Sequence, residues 1–131
     1  MEEQKNENVL DLLLRPEIPD ARKQLPTAKF EVSRLSALAG KPVIFTLRGL
    51  PYNKVRAVQG KGDDYAVHVV LEGCVDPNFR DTRLLDEARA LVTPPDVIKA
   101  KLTPGEIDEL SIEVQKLSGY LKRTLREVKN A

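Results

Sequence analysis

Thr93-Pro94-Pro95-Asp96 and Thr103-Pro104-Gly105-Glu106 each place Thr at a helix N-cap, Pro at the first helical position and an acid two residues later. A Thr hydroxyl and the acid can then satisfy each other's exposed backbone amides, so two helix starts are fixed close together. The second opens the strongest periodicity in the chain. Ile107, Leu110, Val114, Leu117 and Leu121 recur at three–four spacing, and Leu125 and Val128 continue the stripe with a slight drift. Unbroken to Val128, this helix would be roughly 35 Å long at 1.5 Å per residue, although Gly119 offers a breaking point. The stripe has two uses that share one periodicity. It is the core-facing side of the last helix, or it is an apolar face offered to a helical partner. On the second use, Ile107, Leu110, Val114, Leu117 and Leu121 are the candidate partner-binding residues.

Upstream, Val9, Leu12 and Leu13 share a helical face with Leu10 and Leu14 beside it, predicting a short amphipathic helix over about 7–15. Pro16, Pro19 and Pro26 remove backbone donors and restrict their predecessors, so 16–27 reads as an extended linker. Alternation in Lys29–Leu35 and in Val43–Arg48 predicts two strands, with Val43, Phe45 and Leu47 on one face. Gly40 and Pro42 suit a hairpin loop between them. From Pro51 the pattern turns helical through Tyr52, Val55 and Val58, until Gly60-Lys61-Gly62 breaks it. Ala66–Cys74 suits strand or helix, and Ala66, Val70 and Cys74 on one face favour helix. Asp76-Pro77-Asn78 is a turn. Asp81 is a fair N-cap for a helix presenting Leu84, Leu85, Ala88, Leu91 and Val92. The expected architecture is α+β: an N-terminal helix and a β-hairpin followed by a mainly α-helical body, in one domain spanning 1–131. Residues 1–8 and about 122–131 are expected to fray.

Composition narrows the chemistry. Among 131 residues, 21 basic and 20 acidic side chains leave a net charge of +1, against bulk binding of nucleic acid through phosphate neutralisation. A single cysteine, Cys74, and a single histidine, His68, exclude an intrachain disulfide and a Cys/His zinc site. No phosphate loop, catalytic constellation or metal-ligand spacing is present, so no catalytic residue, cofactor or metal is expected. The apolar runs are too short to span a bilayer, and the polar, acidic start is unlike a secretory signal. Cys74 reads as a small buried hydrophobe and His68 as a surface or boundary residue. The charges are graded along the chain: residues 1–20 carry six acids against two bases, and residues 120–131 carry four bases against one acid. These ends are either simply solvated, or meet oppositely charged surfaces in the same molecule or a neighbour.

Leu71-Glu72-Gly73-Cys74-Val75-Asp76-Pro77-Asn78-Phe79-Arg80-Asp81, followed by Leu84-Leu85, resembles the signature of XkdN-like phage tail assembly chaperones. Leu102-Thr103-Pro104-Gly105-Glu106-Ile107, followed by Leu117-Ser118-Gly119-Tyr120, is similar to a second segment of that family. With the early Leu-rich helix and the Phe45-Thr46-Leu47-Arg48 strand, the resemblance covers roughly 9–121. The chain departs after Arg48, where the family usually continues with Thr or Ser and this sequence has Gly49-Leu50-Pro51. The motifs also have plain physical roles: Phe79 as a core plug, Asp81 as a cap, Gly105 as a point of close backbone packing. The resemblance implies a non-enzymatic assembly factor in the cytoplasm of a bacterial host. Its implied partners are the tape measure protein and the tail tube protein, with self-association of weak sites and no membrane or nucleic acid. A longer frameshifted form is also implied. The alternative is a structural tail or connector component retained in the particle.

Overall fold

The computed structural model describes residues 8–129. Its architecture is α+β, with six α-helices and a three-stranded antiparallel sheet among the described residues. Helix α1 covers Val9–Leu13, within the span expected for it. Its N-cap is Asn8, whose side chain accepts from the Asp11 amide at 3.0 Å while Asp11 accepts from the Asn8 amide at 3.1 Å. Residues 1–7 and 130–131, which include most of the expected frayed start, lie outside the described residues. The stretch expected to be extended carries turns at Arg15–Ile18 and Asp20–Lys23, the latter braced by Asp20 and Arg22.

Strand β1 (Thr27–Glu31) and β2 (Ile44–Arg48) pair antiparallel, with Phe30 opposite Phe45. The expected first strand ran to Leu35, but a helix, α2 (Ser33–Ala39), fills the connection instead of a loop. Arg, Leu and Ala form helix readily, and Gly40 closes α2 in the left-handed conformation at φ 75°. The Ser36 hydroxyl accepts from the Val43 amide at 2.8 Å, holding the helix over the strand ends. Phe45 and Leu47 face the core while Ile44 and Arg48 face out, as the alternation predicts.

Helix α3 (Tyr52–Gln59) buries Val55 and Val58. A short 3-10 turn at Gly62–Asp64 then leads into α4 (Tyr65–Gly73). Helix α4 buries Val67, Val69, Val70 and Leu71, so it is covered on several sides. That encirclement explains why its sequence has no clean amphipathic period. It runs directly into β3 (Cys74–Asp76), an unexpected third strand beside β2, with Leu47 opposite Cys74. The Asp76–Pro77 peptide is cis.

The helix expected after Asp81 does not form. Asp81 instead caps a 3-10 turn at Thr82–Leu84, and a second covers Glu87–Arg89. Asp86 and Leu91 exchange two backbone hydrogen bonds of 2.9 Å, closing a tight loop that an α-helical ladder would have to break. Of the expected apolar face only Leu91 is buried; Leu85, Ala88 and Val92 are exposed. Helices α5 (Pro94–Lys101) and α6 (Pro104–Leu117) begin at the two capping boxes, and both boxes are formed. Helix α6 packs across α4, placing Ile107, Leu110 and Val114 in the core.

Candidate functional site

The first family-like stretch forms the junction of α4, β3 and the following turn. Gly73 sits directly under α6: a Cβ there would lie 2.6 Å from both γ-methyl groups of Val114. Only a glycine allows the two helices to approach this closely. Glu72 faces outward and binds Arg80 at 2.7 Å and Lys54 at 3.3 Å, linking α4 to α3 and to the turn. Burial pushes the Glu72 carboxyl up, but the bonds and charges of Arg80 and Lys54 outweigh it and hold the group below its ordinary range. Cys74 is buried, and burial together with the Asp76 charge pushes its thiol up to about 12. Phe79 is buried edge-on against Phe45, ring centroids 5.8 Å apart. This motif is therefore occupied chiefly in making the fold.

The second motif does the same at the ends of α6. Glu106 accepts from the Thr103 amide at 2.8 Å and receives both the Nε and an Nη of Arg34 in α2, at 3.0 and 2.9 Å. Chiefly through Arg34, the Glu106 carboxyl is held down to about 2 against a smaller effect of burial. Gly105 meets open space, so the close packing expected there is absent. The close approach occurs instead at Gly49, whose missing side chain leaves room for the Leu117 carbonyl. Beside it, the Leu50 amide donates to the Ser118 hydroxyl at 2.8 Å, and that hydroxyl donates to the Val114 carbonyl at 2.7 Å. Ser118 thus supplies, from the far end of the chain, the polar partner that Gly49-Leu50-Pro51 lacks.

The five candidate partner-binding residues separate into three groups. Ile107, Leu110 and Val114 are buried within the chain's own core. Leu117 is half-buried against that core. Leu121 lies beyond the helix and is 62% exposed. Helix α6 stops because Gly119 turns left-handed at φ 98° and the Tyr120 amide bonds back to the Gln115 carbonyl. Leu121 follows at φ 64°, and Leu125 and Val128 are also exposed. The break at Gly119 that the sequence offers is the one the chain takes: α6 is 14 residues, about 21 Å, followed by a non-helical basic tail.

Among the described residues, α1 and two clefts are open to partners. None of the residues of α1 is buried, and Val9, Leu10, Leu12, Leu13 and Leu14 are 41–82% exposed. A cleft of about 420 Å³ beside the first motif is lined by Arg22, Lys23, Arg48, Lys54 and Arg80 against Glu72. A groove of about 310 Å³ between β1 and α6 has an acidic rim. Among the described residues no group of three or more His, Cys, Asp or Glu is placed to hold a metal ion. None of the described helices is long and apolar enough to cross a membrane.

A family model described as the phage XkdN-like tail assembly chaperone protein matches residues 10–131. The chain belongs to that family. The match runs past Tyr120 through the basic tail, beyond the segment that the motifs alone span. The fold is similar to that in the crystal structure of the protein YqbN, with a TM-score of 0.56 over 82% of this chain and 94% of that one. At 18% identity this likeness shows a shared fold. No curated protein is significantly similar to the chain. Membership of an XkdN-like tail assembly chaperone family points to a non-enzymatic role with protein partners in the phage tail.

Proposed function

We propose that this protein binds the tape measure protein and keeps it soluble while tail tube subunits polymerise around it, then leaves before the tail is complete. The work takes place in the cytoplasm of the bacterial host and involves no catalysis. The observation that carries this reading is α1: it holds four large aliphatic side chains, with Leu14 at its C-cap, and none is buried against the body. Apolar residues displayed together on a helix outside the core are what an exposed apolar helix of a client would cover. Each such side chain, once fully buried by a partner, contributes roughly 1.5–3 kcal/mol before ordering costs. The test is co-expression with the tape measure protein of the same phage. The client is expected to stay soluble and to co-purify with this chain; a client that precipitates equally in its presence sinks the proposal. Protein counts in finished tails separate the chaperone from a retained component. The chaperone is absent from them, whereas a connector would be present in fixed stoichiometry.

A further inference from the structure

Three stretches far apart in sequence meet at the cleft beside the first motif: Arg22 and Lys23 after α1, Arg48 and Lys54 where β2 passes into α3, and Arg80 in the turn after β3. Against these five cations stands the single carboxylate of Glu72, a net charge of +4. Asp20, outside the cleft, answers Arg22 at 2.9 Å, and Glu72 is shared between Arg80 and Lys54 at 2.7 and 3.3 Å. Lys23 and Arg48 form no ion pair and no side-chain hydrogen bond among the described residues. Three positive charges are therefore left without a counter-charge in one concavity.

Hydrogen-bonding capacity points the same way. The side-chain oxygen of Asn78 accepts from the Arg80 amide at 3.0 Å, so the free end of Asn78 is its NH2 group. Together with Lys23 and Arg48 it offers donors, whereas the one carboxylate in the lining is already spent on two cations. Between the cations the wall is apolar: Leu25 and Pro51 are half-buried, and Val75 is 45% exposed. Nucleic acid is gripped by cations strung along its backbone as a stripe. Here they converge on a cleft of about 420 Å³, which takes a few residues of a peptide.

We infer that this cleft receives a short acidic segment of a different protein. Its carboxylates meet Lys23, Arg48 and Arg80, and an apolar side chain between them lies against Leu25, Pro51 and Val75. An arginine fork holds a carboxylate through two parallel hydrogen bonds, so the contact gains orientation as well as attraction. The complementary charges speed encounter and reject partners of the wrong sign. The site uses none of the apolar side chains of α1, and holds whether or not α1 engages a client.

The test is fluorescence anisotropy of the full chain with three labelled probes of equal length. They are a peptide of Asp and Glu around a central Leu, the same peptide with Asn and Gln for the acids, and single-stranded oligothymidylate. The acidic peptide is expected to bind and to weaken as salt rises. Lys23→Gln/Arg48→Gln is expected to lower its affinity on the order of tenfold. Arg123→Glu/Arg126→Glu in the tail is expected to change nothing, which separates the cleft from general attraction to a basic chain. Removing residues 2–7, with Glu2, Glu3 and Glu7, is also expected to leave the affinity unchanged. Circular dichroism verifies that each variant is folded, and Lys23→Ala, outside every helix and strand, keeps the cleft testable if the double variant is not. An acidic peptide that does not bind, or whose binding responds to the tail and not to the cleft, overturns the inference. So does tighter binding of the neutral peptide or of oligothymidylate, or tighter binding once residues 2–7 are gone, which makes the chain's own start the occupant.

Discussion

Gly73 carries no side chain because Val114 occupies the space that one would need. A Gly73→Ala substitution forces α4 and α6 apart or drives Val114 off its rotamer, and is expected to cost about 1–3 kcal/mol in urea unfolding. Gly105 is the control, since a methyl group there meets nothing. Gly105→Ala is expected to be neutral or to stabilise by up to ~1 kcal/mol, because it reduces the freedom of the unfolded chain. A glycine after proline in a first helical turn is unusual, so the sequence points to Gly105 for the close approach. The sequence of a glycine holds no information about what faces it, and only the packing of α6 shows that Gly49 and Gly73 are the constrained positions. Cys74 was legible as a small buried hydrophobe, and the structure adds the consequence. Its thiol, pushed up to about 12 by burial, is almost wholly protonated at neutral pH. Thiolate is the reactive form, so a thiol reagent is expected to label the native protein negligibly and the urea-unfolded protein promptly.

Among the elements, those with local start and stop signals were legible. Helices α5 and α6 begin where their capping boxes place them, since a cap is a contact between residues three apart and needs no tertiary help. Glu106 has a second role that its cap did not reveal, as the acceptor for Arg34 across 72 residues. Its carboxyl titrates at about 2 in the folded chain, below its ordinary value of 4.5. The ionised carboxylate therefore stabilises the fold fully above about pH 4.5, and that contribution is lost as pH falls toward 2. Glu106→Gln keeps an acceptor for the Thr103 amide but removes the charge. Thermal melts are expected to show the variant below wild type at pH 7, with the gap closing as the pH approaches 2. The elements misread from sequence are those settled by distant partners. Helix α2 stands where the alternation of Lys29–Leu35 predicts strand and then a loop, and Gly40 marks its end. The helix after Asp81 had a sound cap and a periodic face, and lost to the paired backbone of Asp86 and Leu91. Strand β3 is three residues long and exists only because β2 lies beside it.

Among the described residues, the body from β1 to α6 holds the core, and α1 and the tail after α6 stand outside it. None of the residues of α1 belongs to that core. The double substitution Leu10→Asp/Leu13→Asp is therefore expected to leave the melting temperature unchanged while abolishing recovery of a co-expressed tape measure protein. An equal fall in stability would place α1 within the fold instead. The graded charge of the chain gains a location at this scale. The described surface carries a basic cleft and an acidic groove, while Lys122, Arg123, Arg126 and Lys129 lie in the tail after α6. The sequence by itself determined the α+β class, the two capped helices, the core face of β2 and, through two ordered motifs, the family. Each of these rests on contacts between near neighbours or on periodicity, which a linear chain records directly. Only the tertiary structure decided how the stripe from Ile107 is divided: three residues inside the core, Leu117 at its edge and Leu121 outside. Periodicity states that a face is apolar; whether the chain itself or another molecule covers that face depends on which elements pack against it.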